Sequence, residues 1–259
     1  MAQRIHPTAQ QGFSQVAQLY QQVRPDYPQA LVDWMRHDLF LDQNAHLVDL
    51  GAGTGKFLPY LKQVSHQLSA VEPVSEMLEE LKLKYPDVHR VQADSQQMPF
   101  ATHSIDAIFC AQAFHWFSDH ATLEEVHRVL KNGGHFCLIW NQRDLNVDWV
   151  MALNNIISPY EGTTPRYHSG DWKKVFEKQN LFRLKSVKVF SFLHQGTVEN
   201  VVSKRLLSTS FIATLPNDEQ LRLKQQFEQI IYEHLGKKPQ ETIEFPYITY
   251  AYHFKRLTL

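Results

Sequence analysis

Short apolar runs alternate with amphipathic segments through the first 140 residues, and this alternation constrains the fold more than any other feature of the chain. It is typical of β-α-β units, in which right-handed crossovers join parallel strands. We therefore predict an α/β fold with a doubly wound sheet, helices on both faces and ligands at the carboxyl edge. The predicted strands are AHLVDL (45–50), QLSAVE (67–72), VHRVQA (88–93), IDAIFCA (105–111) and GHFCLIW (134–140).

The sequence also predicts two helices that connect consecutive strands. Apolar residues recur at helical spacing from Val74 to Tyr85, before Pro86. Thr122 and Glu125 have the spacing of a capping box, and the helix that they begin is expected to stop at residues 132–134 (Asn-Gly-Gly). Beyond residue 140 the weaker pattern predicts helices at 146–158 and 171–180, strands at 184–194 and 247–257, and a helical region at 197–236 with Asn217 as a candidate cap and Gly236 as a stop.

Composition narrows the classes of partner. The chain has 259 residues, of which 43% are hydrophobic, so it can bury one sizeable core. A formal charge of −1 with scattered basic residues disfavours nucleic acid. The N-terminus lacks the pattern of a secretory signal and no apolar run is long enough for a bilayer, so we expect a cytoplasmic protein without membrane contact. Cys110 and Cys137 lie in apolar runs and are expected to be buried thiols.

The segment LVDLGAGTGKF follows the first strand, where backbone N–H groups and a helix start can face a ligand. A dinucleotide fingerprint requires its last glycine where this chain has Lys56, and a P-loop requires Ser or Thr where it has Phe57. Both phosphate interpretations therefore fail on spacing. A nucleoside-type ligand with its amino acid tail against the loop remains, as does a purely structural glycine turn.

Two acidic residues at strand ends favour the nucleoside. Glu72 ends the second run, 21 residues after Gly51, where a carboxylate can accept both ribose hydroxyls. Asp94 follows the third run and could accept from an adenine exocyclic amine, with Ser95 or Gln96 near the ring. Dehydrogenases share the first acid but do not require the second.

Five motifs occur in order over roughly residues 45–141: LVDLGAGTGKF, AVEPVSEML, QADSQQMPF, SIDAIFCAQAFHWF and HRVLKNGGHFCLIW. Together they resemble the class I S-adenosylmethionine-dependent methyltransferases of the methyltransferase type 11 family, which includes ubiquinone/menaquinone-biosynthesis and trans-aconitate methyltransferases. The resemblance implies a seven-stranded, mostly parallel sheet of order 3-2-1-4-5-7-6 with one antiparallel strand. It also implies a single domain over 1–259, with an N-terminal lid segment at 1–30, a cofactor-binding core at 31–145 and a helical substrate-side cap at 197–236.

The same resemblance implies S-adenosylmethionine as the cofactor and S-adenosylhomocysteine as the product. The residues that it assigns to the methionine portion and its loop are Asp49, Gly51, Ala52, Gly53, Thr54 and Gly55. It assigns Glu72 to the ribose. It assigns Ala111 and Gln112 to the sulfonium, and to the adenine it assigns Pro73, Met77, Asp94 and Ser95.

The acceptor side is less patterned. His115, just past the fourth strand, is the candidate general base if one is needed, and it could instead orient the loop or contact the substrate. The histidines around it lack a recognised ligand spacing, so no metal is predicted. The candidate substrate-binding residues are Tyr20, Arg24 and Tyr27 in the lid segment, His115 and Trp116 after the fourth strand, and Arg205 in the cap, where arginines could neutralise an anion.

These features predict in-line transfer of a methyl group from S-adenosylmethionine to a small-molecule acceptor, with an anionic or carboxylate metabolite as one candidate. The Asn/Asp-Pro-Pro-Tyr/Phe motif of amino-methyltransferases is replaced here by AQAF (111–114), and we find no paired-glutamate loop like that of the protein arginine methyltransferases. The alternative is an inactive S-adenosylmethionine-binding module that acts as a sensor or partner-binding protein. A monomer or a homodimer is expected.

Overall fold

The computed structural model describes residues 23–258, and its central feature is one seven-stranded sheet. The strands are β1 (His46–Leu50), β2 (Gln67–Val71), β3 (His89–Val91), β4 (Ile105–Ala111), β5 (Leu130–Arg143), β6 (Phe182–Thr197) and β7 (Thr242–Arg256). Their order is β3-β2-β1-β4-β5-β7-β6, and β1 to β5 pair in parallel. The predicted fold class and strand order are confirmed.

Helices connect these strands. They are α1 (Ala30–His37), α2 (Leu58–Val64), α3 (Ser75–Lys84), α4 (His120–Val129), α5 (Asp148–Ile157), α6 (Arg205–Leu207), α7 (Ser210–Ala213) and α8 (Asn217–Leu235). Short 3₁₀ turns lie at Phe114–Trp116, Ser158–Tyr160 and Asp171–Phe176, and a π-helical turn lies at Glu199–Lys204.

The chain divides into two compact units. The larger unit contains Tyr27–Trp140, Pro165–Phe190 and residues 249–258, and the smaller unit contains residues 23–26, Asn141–Thr164 and Ser191–Ile248. The division into lid, core and cap stays a prediction.

The central strands of the larger unit, β1, β2 and β4, are buried on both faces, as strands of parallel sheets are. Leu47 of β1 lies in an apolar cluster with side chains of α1 and α2, whereas its neighbour Val48 lies in a second cluster with side chains of α4. Trp140, in β5, belongs to the second cluster, with its ring centroid 4.4 Å from that of Trp172. Because successive side chains of a strand alternate between faces, this burial requires helices on both sides of the sheet.

The smaller unit has an apolar cluster of its own. It joins α5, the π-helical turn, α8 and the first part of β7, with Phe227 and Phe245 fully buried at 0% exposure. Helix α8 ends as predicted at Gly236, whose φ of 67° is the left-handed conformation of a C-terminal cap. Its start was predicted wrongly, since Asn217 is the first helical residue and no side chain caps it.

The predicted capping box of α4 is also wrong. The helix begins at His120, and Asp119 caps it by accepting the N–H of Thr122 at 2.8 Å. Glu125 instead accepts the N–H of Met98, 27 residues earlier, at 2.6 Å. The helix ends at Val129 because β5 begins at the next residue, ahead of the predicted glycine stop. The predicted helix at 171–180 is the shorter 3₁₀ turn.

The two thiols are as predicted. Cys110 and Cys137 are free and fully buried, and burial raises the pKa of both well above the ordinary value. Among residues 23–258, no helix is long and apolar enough to cross a membrane.

Candidate active site

The carboxyl ends of four parallel strands form the edge where the predicted cofactor residues lie. Leu50 is level with Val71, and Val71 with Val91, so the residues that follow these strands meet at one edge of the sheet. β4 ends beside β5, with Ala111 level with Ile139. The structure therefore brings the glycine loop, Glu72 and the segments after β3 and β4 to a common edge within the larger unit.

The glycine loop uses its backbone N–H groups inside the protein. The N–H groups of Gly51 and Ala52 donate to the Val71 carbonyl, at 2.9 and 3.1 Å. The N–H of Gly53 donates to Glu72 Oε2 at 2.8 Å, and that of Gly55 to the Ala52 carbonyl at 2.9 Å. A phosphate-binding loop needs such groups to face its ligand. The geometry therefore agrees with the rejection of both phosphate interpretations on spacing.

Glu72 joins two loops of the site. Its Oε2 accepts the N–H of Gly53, and its Oε1 accepts the N–H of Val74 at 3.0 Å. The side chain is buried, and burial raises its pKa while the two backbone bonds oppose that rise. Each carboxylate oxygen has two acceptor positions, so both retain one for a ribose hydroxyl.

Asp49 is the second buried carboxyl group at this edge. It is 1% exposed, and its Oδ2 has no hydrogen-bond partner in the described part of the chain. Burial, together with the nearby charge of Glu72, raises the pKa of Asp49 to about 8. A cationic group beside the unused Oδ2, such as the amino or sulfonium group of S-adenosylmethionine, would favour the charged form of Asp49.

The raised pKa of Asp49 predicts a pH-dependent stability. Its folded-state pKa of about 8 lies above the ordinary value of 3.8, so its contribution to stability is full below pH 4 and is lost as pH rises through 8. Asp49→Asn removes this loss. The free energy of unfolding of the variant minus that of the wild type should therefore rise by about 2 kcal/mol between pH 6 and pH 8. Urea unfolding at several pH values measures the difference. Asp218→Asn, at an exposed carboxylate, is the control and should show no such rise. If the free energy of unfolding of Asp49→Asn followed pH in the same way as that of the wild type, the raised pKa of Asp49 would be contradicted.

The loop after β3, which carries Asp94, is fixed from α4. Glu125 accepts from Met98 and from Arg128, whose Nε and Nη2 both lie 2.7 Å from its carboxylate oxygens. Arg128 also donates to the Met98 carbonyl at 3.0 Å and to the Phe100 carbonyl at 2.9 Å. This network holds the predicted adenine side of the site.

The two predicted adenine-edge residues differ in their surroundings. Asp94 is exposed, and its Oδ1 accepts the N–H groups of Gln96 and Gln97 at 2.9 and 3.0 Å. The Ser95 hydroxyl is buried and lies 2.7 Å from Thr122 Oγ1, so its side chain is bonded within the protein.

The segment after β4 holds Gln112 in an unusual conformation. Its φ is 60°, which non-glycine residues rarely adopt, and its N–H donates to the Ile139 carbonyl at 2.8 Å. Such conformations are concentrated at functional sites. Of the other predicted cofactor residues, Ala52, Thr54 and Met77 are buried, while Pro73 and Ala111 are partly exposed.

His115 is partly buried beside the same segment. Its Nδ1 accepts the indole N–H of Trp140 at 3.2 Å, so the neutral ring carries its proton on Nε2. Burial, helped by the charges of Arg166 and His168, lowers the pKa of His115 to about 3. This environment favours an imidazole that donates a hydrogen bond through Nε2 over one that removes a proton near neutral pH.

An NMR titration should show this directly. The ring of His115 is expected to stay neutral at pH 5, with its transition near pH 3, and His115→Gln identifies its signals. Because the folded-state pKa lies below the ordinary value of 6.5, His115 favours folding above pH 6.5 and opposes it as pH falls towards 3. A transition between pH 6 and pH 7 would restore it as a candidate general base.

The remaining candidates lie in different surroundings. Tyr27 is buried against Phe57, and the Tyr60 hydroxyl donates to its carbonyl at 2.7 Å, so it packs within the larger unit. Trp116 is partly exposed beside His115, with ring centroids 4.9 Å apart. Arg24 and Arg205 belong to the smaller unit. Tyr20 lies outside the described residues.

Sequence reasoning missed several neighbours of the site. The Trp140 indole bonds to His115 across 25 residues, and Arg166 and His168 act on the same ring from a loop without a motif. Phe117 was noted only as part of an aromatic stretch, yet it lies against Gly51. Local patterns do not record such distant contacts. In the described part of the chain no group of three or more His, Cys, Asp or Glu side chains could hold a metal ion.

Comparison with known proteins identifies the family. A model of the methyltransferase domain matches residues 48–138. A methyltransferase-like protein of Schizosaccharomyces pombe is 33% identical over 213 residues, which cover 82% of each chain. An uncharacterized methyltransferase of Mycobacterium tuberculosis is 28% identical over 250 residues, covering 92% of this chain and 93% of its own. The chain therefore belongs to the class I S-adenosylmethionine-dependent methyltransferases.

Solved structures share the fold. A provisionally assigned type II methyltransferase from Anaeromyxobacter dehalogenans superimposes with a TM-score of 0.69 at 16% identity, over 90% of this chain and 97% of its own. The YcgJ protein of Bacillus subtilis gives a TM-score of 0.54 at 16% identity, over 89% of this chain and 99% of its own. At these identities the likeness supports the fold alone.

Proposed function

We propose that the protein transfers a methyl group from S-adenosylmethionine to a small-molecule acceptor. The observation that carries this proposal is the buried pair of Asp49 and Glu72 beside a glycine loop whose N–H groups are bonded within the protein. Such a site rejects phosphate and accepts a cationic nucleoside. Family membership agrees with this choice of cofactor.

Different residues of the chain would then bind different parts of the cofactor. Glu72 accepts the ribose hydroxyls, while Asp49 offers its unused Oδ2 to a cationic group. Asp94, at the loop that Glu125 and Arg128 fix, faces the adenine edge. When bound, the cofactor would supply an electrophilic methyl group on a positively charged sulfur. The sulfur would leave as a neutral thioether, so no acid is needed to protonate it.

Catalysis would come mainly from alignment. Holding the two reactants in line and away from water can contribute on the order of 7–11 kcal/mol. Gln112, in its constrained conformation, and the Nε2–H of His115 are the groups of the larger unit that we assign to positioning. A carboxylate acceptor would need no base, in agreement with the lowered pKa of His115.

For the acceptor we propose a small anionic molecule, and we expect no nucleic-acid substrate. Tyr20, Arg24, Tyr27, Trp116 and Arg205 remain proposed substrate residues. We further propose that the protein acts in the cytoplasm as a monomer or homodimer.

The proposal is tested with a methyl-labelled donor and fractionated metabolite extracts. We expect one fraction to become labelled, with an equal amount of S-adenosylhomocysteine formed, and the anionic fractions from ion exchange to contain the acceptor. Cofactor binding without product in any fraction would instead support the inactive binding module. Failure to bind either S-adenosylmethionine or S-adenosylhomocysteine would contradict both functions.

A further inference from the structure

One turn of the smaller unit, from Arg205 to Ser210, carries three buried side chains with polar atoms that find no hydrogen-bond partner among the described residues. The atoms are Nε and Nη1 of Arg205, Oγ1 of Thr209 and Oγ of Ser210. These residues are only 9%, 5% and 5% exposed. The large majority of buried side-chain polar atoms in proteins have a hydrogen-bond partner. Three unpaired side chains so close in sequence therefore indicate a partner that the chain does not supply.

Arg256 is a second buried arginine, and its hydrogen bonds show how this chain pairs an arginine that has a structural role. Arg256 is 6% exposed, and all three of its guanidinium nitrogens are bonded. Its Nε donates to the His127 carbonyl at 2.7 Å, its Nη1 to Asn132 Oδ1 at 2.5 Å, and its Nη2 lies 2.7 Å from His103 Nε2. Arg205 has no such set, and among the described residues no carboxylate pairs with it. An unpaired buried cation is costly, so its retention favours a ligand.

The turn is held in place by its backbone. The Ser208 hydroxyl donates to the Arg205 carbonyl at 2.8 Å, and the Ser208 N–H donates to the Lys204 carbonyl at 2.9 Å. Arg24 Nη2 donates to the Ser208 carbonyl at 3.1 Å, which brings a second guanidinium to this turn. A π-helical turn, Glu199–Lys204, leads directly into Arg205. The side chains therefore project from a fixed backbone.

We propose that this turn binds an oxyanion through the Arg205 guanidinium and the hydroxyls of Thr209 and Ser210. Guanidinium and hydroxyl groups are hydrogen-bond donors, and carboxylates and phosphates accept from them. The expected ligand is a small carboxylate. Thr209 and Ser210 are thereby assigned to anion binding, where the sequence had suggested only Arg205.

Calorimetric titration of the full chain tests the site with succinate, citrate and inorganic phosphate, and with succinamide as the uncharged analogue. We expect a carboxylate to bind and succinamide not to bind. Arg205→Met should weaken binding by about tenfold or more, and a Thr209→Val/Ser210→Ala double variant by a similar factor. Stronger binding of phosphate than of both carboxylates would overturn the assignment to a carboxylate ligand.

Controls separate binding from folding. Arg222→Met, at an exposed arginine of the same unit that pairs with Glu219, should bind as the wild type does. Without ligand, Arg205→Met should melt at or above the wild-type temperature, because it removes a buried unpaired charge. A lowered melting temperature with unchanged carboxylate affinity would make Arg205 structural and overturn the proposal. So would a wild-type protein that binds none of the three anions.

S-adenosylhomocysteine is titrated into the same wild-type sample, so that the two proposals fail separately. If it binds and no anion does, the oxyanion site is rejected and the proposed function stands. If an anion binds through Arg205 and S-adenosylhomocysteine does not, the oxyanion site stands and the proposed function is rejected.

Discussion

Replacing Gly51 with alanine is expected to lower the free energy of unfolding by about 3 kcal/mol or more. Gly51 has a φ of 71°, where an alanine is strained by about 1–2 kcal/mol. An added Cβ would lie 2.7 Å from the Cβ of Ala113 and 3.3 Å from the Phe117 ring, and overpacking of this kind costs about 1–3 kcal/mol. Because Ala113 follows Gln112 directly, the same clash should displace the segment after β4 and weaken cofactor binding.

Gly162→Ala provides a matched control. Its φ of 56° imposes a similar backbone strain, but an added Cβ would meet nothing within 4 Å. This variant should therefore lose only about 1–2 kcal/mol and keep the wild-type cofactor affinity. Chemical unfolding of both variants measures the difference. Equal losses would show that the close approach of Gly51 to Ala113 does not exist in solution.

The second large effect is expected at Glu72. In Glu72→Gln one carboxylate oxygen becomes an amide NH₂, which cannot accept the N–H of Gly53 or of Val74. The variant also loses two charge-assisted bonds to the ribose, each worth about 1.5–3 kcal/mol. We expect S-adenosylhomocysteine to bind about 100-fold or more weakly, a change of about 3 kcal/mol. Calorimetric titration measures it.

Glu79→Gln is the control for this variant. Glu79 lies in α3, and its side chain is 70% exposed. Its replacement should leave both affinity and stability unchanged. Full cofactor affinity in Glu72→Gln would remove the ribose assignment, while loss of affinity in both variants would point to a general charge effect.

Much of the fold was predictable because its signals are local. Each strand from β1 to β5 overlaps a predicted apolar run, and β1, β2 and β4 are buried on both faces, as that composition requires. The order of the last two strands came from family resemblance, since the runs after residue 140 are too weakly patterned to fix it. The start of α4 was missed because Glu125, which completes a capping pattern with Thr122, bonds instead to Met98.

The candidate site was predictable in part. Spacing from the glycines selected Glu72, and the structure places its carboxylate on the Gly53 N–H. The surroundings of His115 could not be predicted, because its pKa depends on burial and on Trp140, Arg166 and His168, all far from it in sequence. The unpaired atoms of Arg205 are visible only once the chain is folded, since a lack of partners is a property of the structure.

The most direct test of the account is calorimetric titration of the wild-type protein with S-adenosylhomocysteine and, separately, with NAD. The buried Asp49 and Glu72 pair and the internally bonded glycine loop predict one S-adenosylhomocysteine site per chain and no binding of NAD. Binding of NAD without binding of S-adenosylhomocysteine would contradict the account.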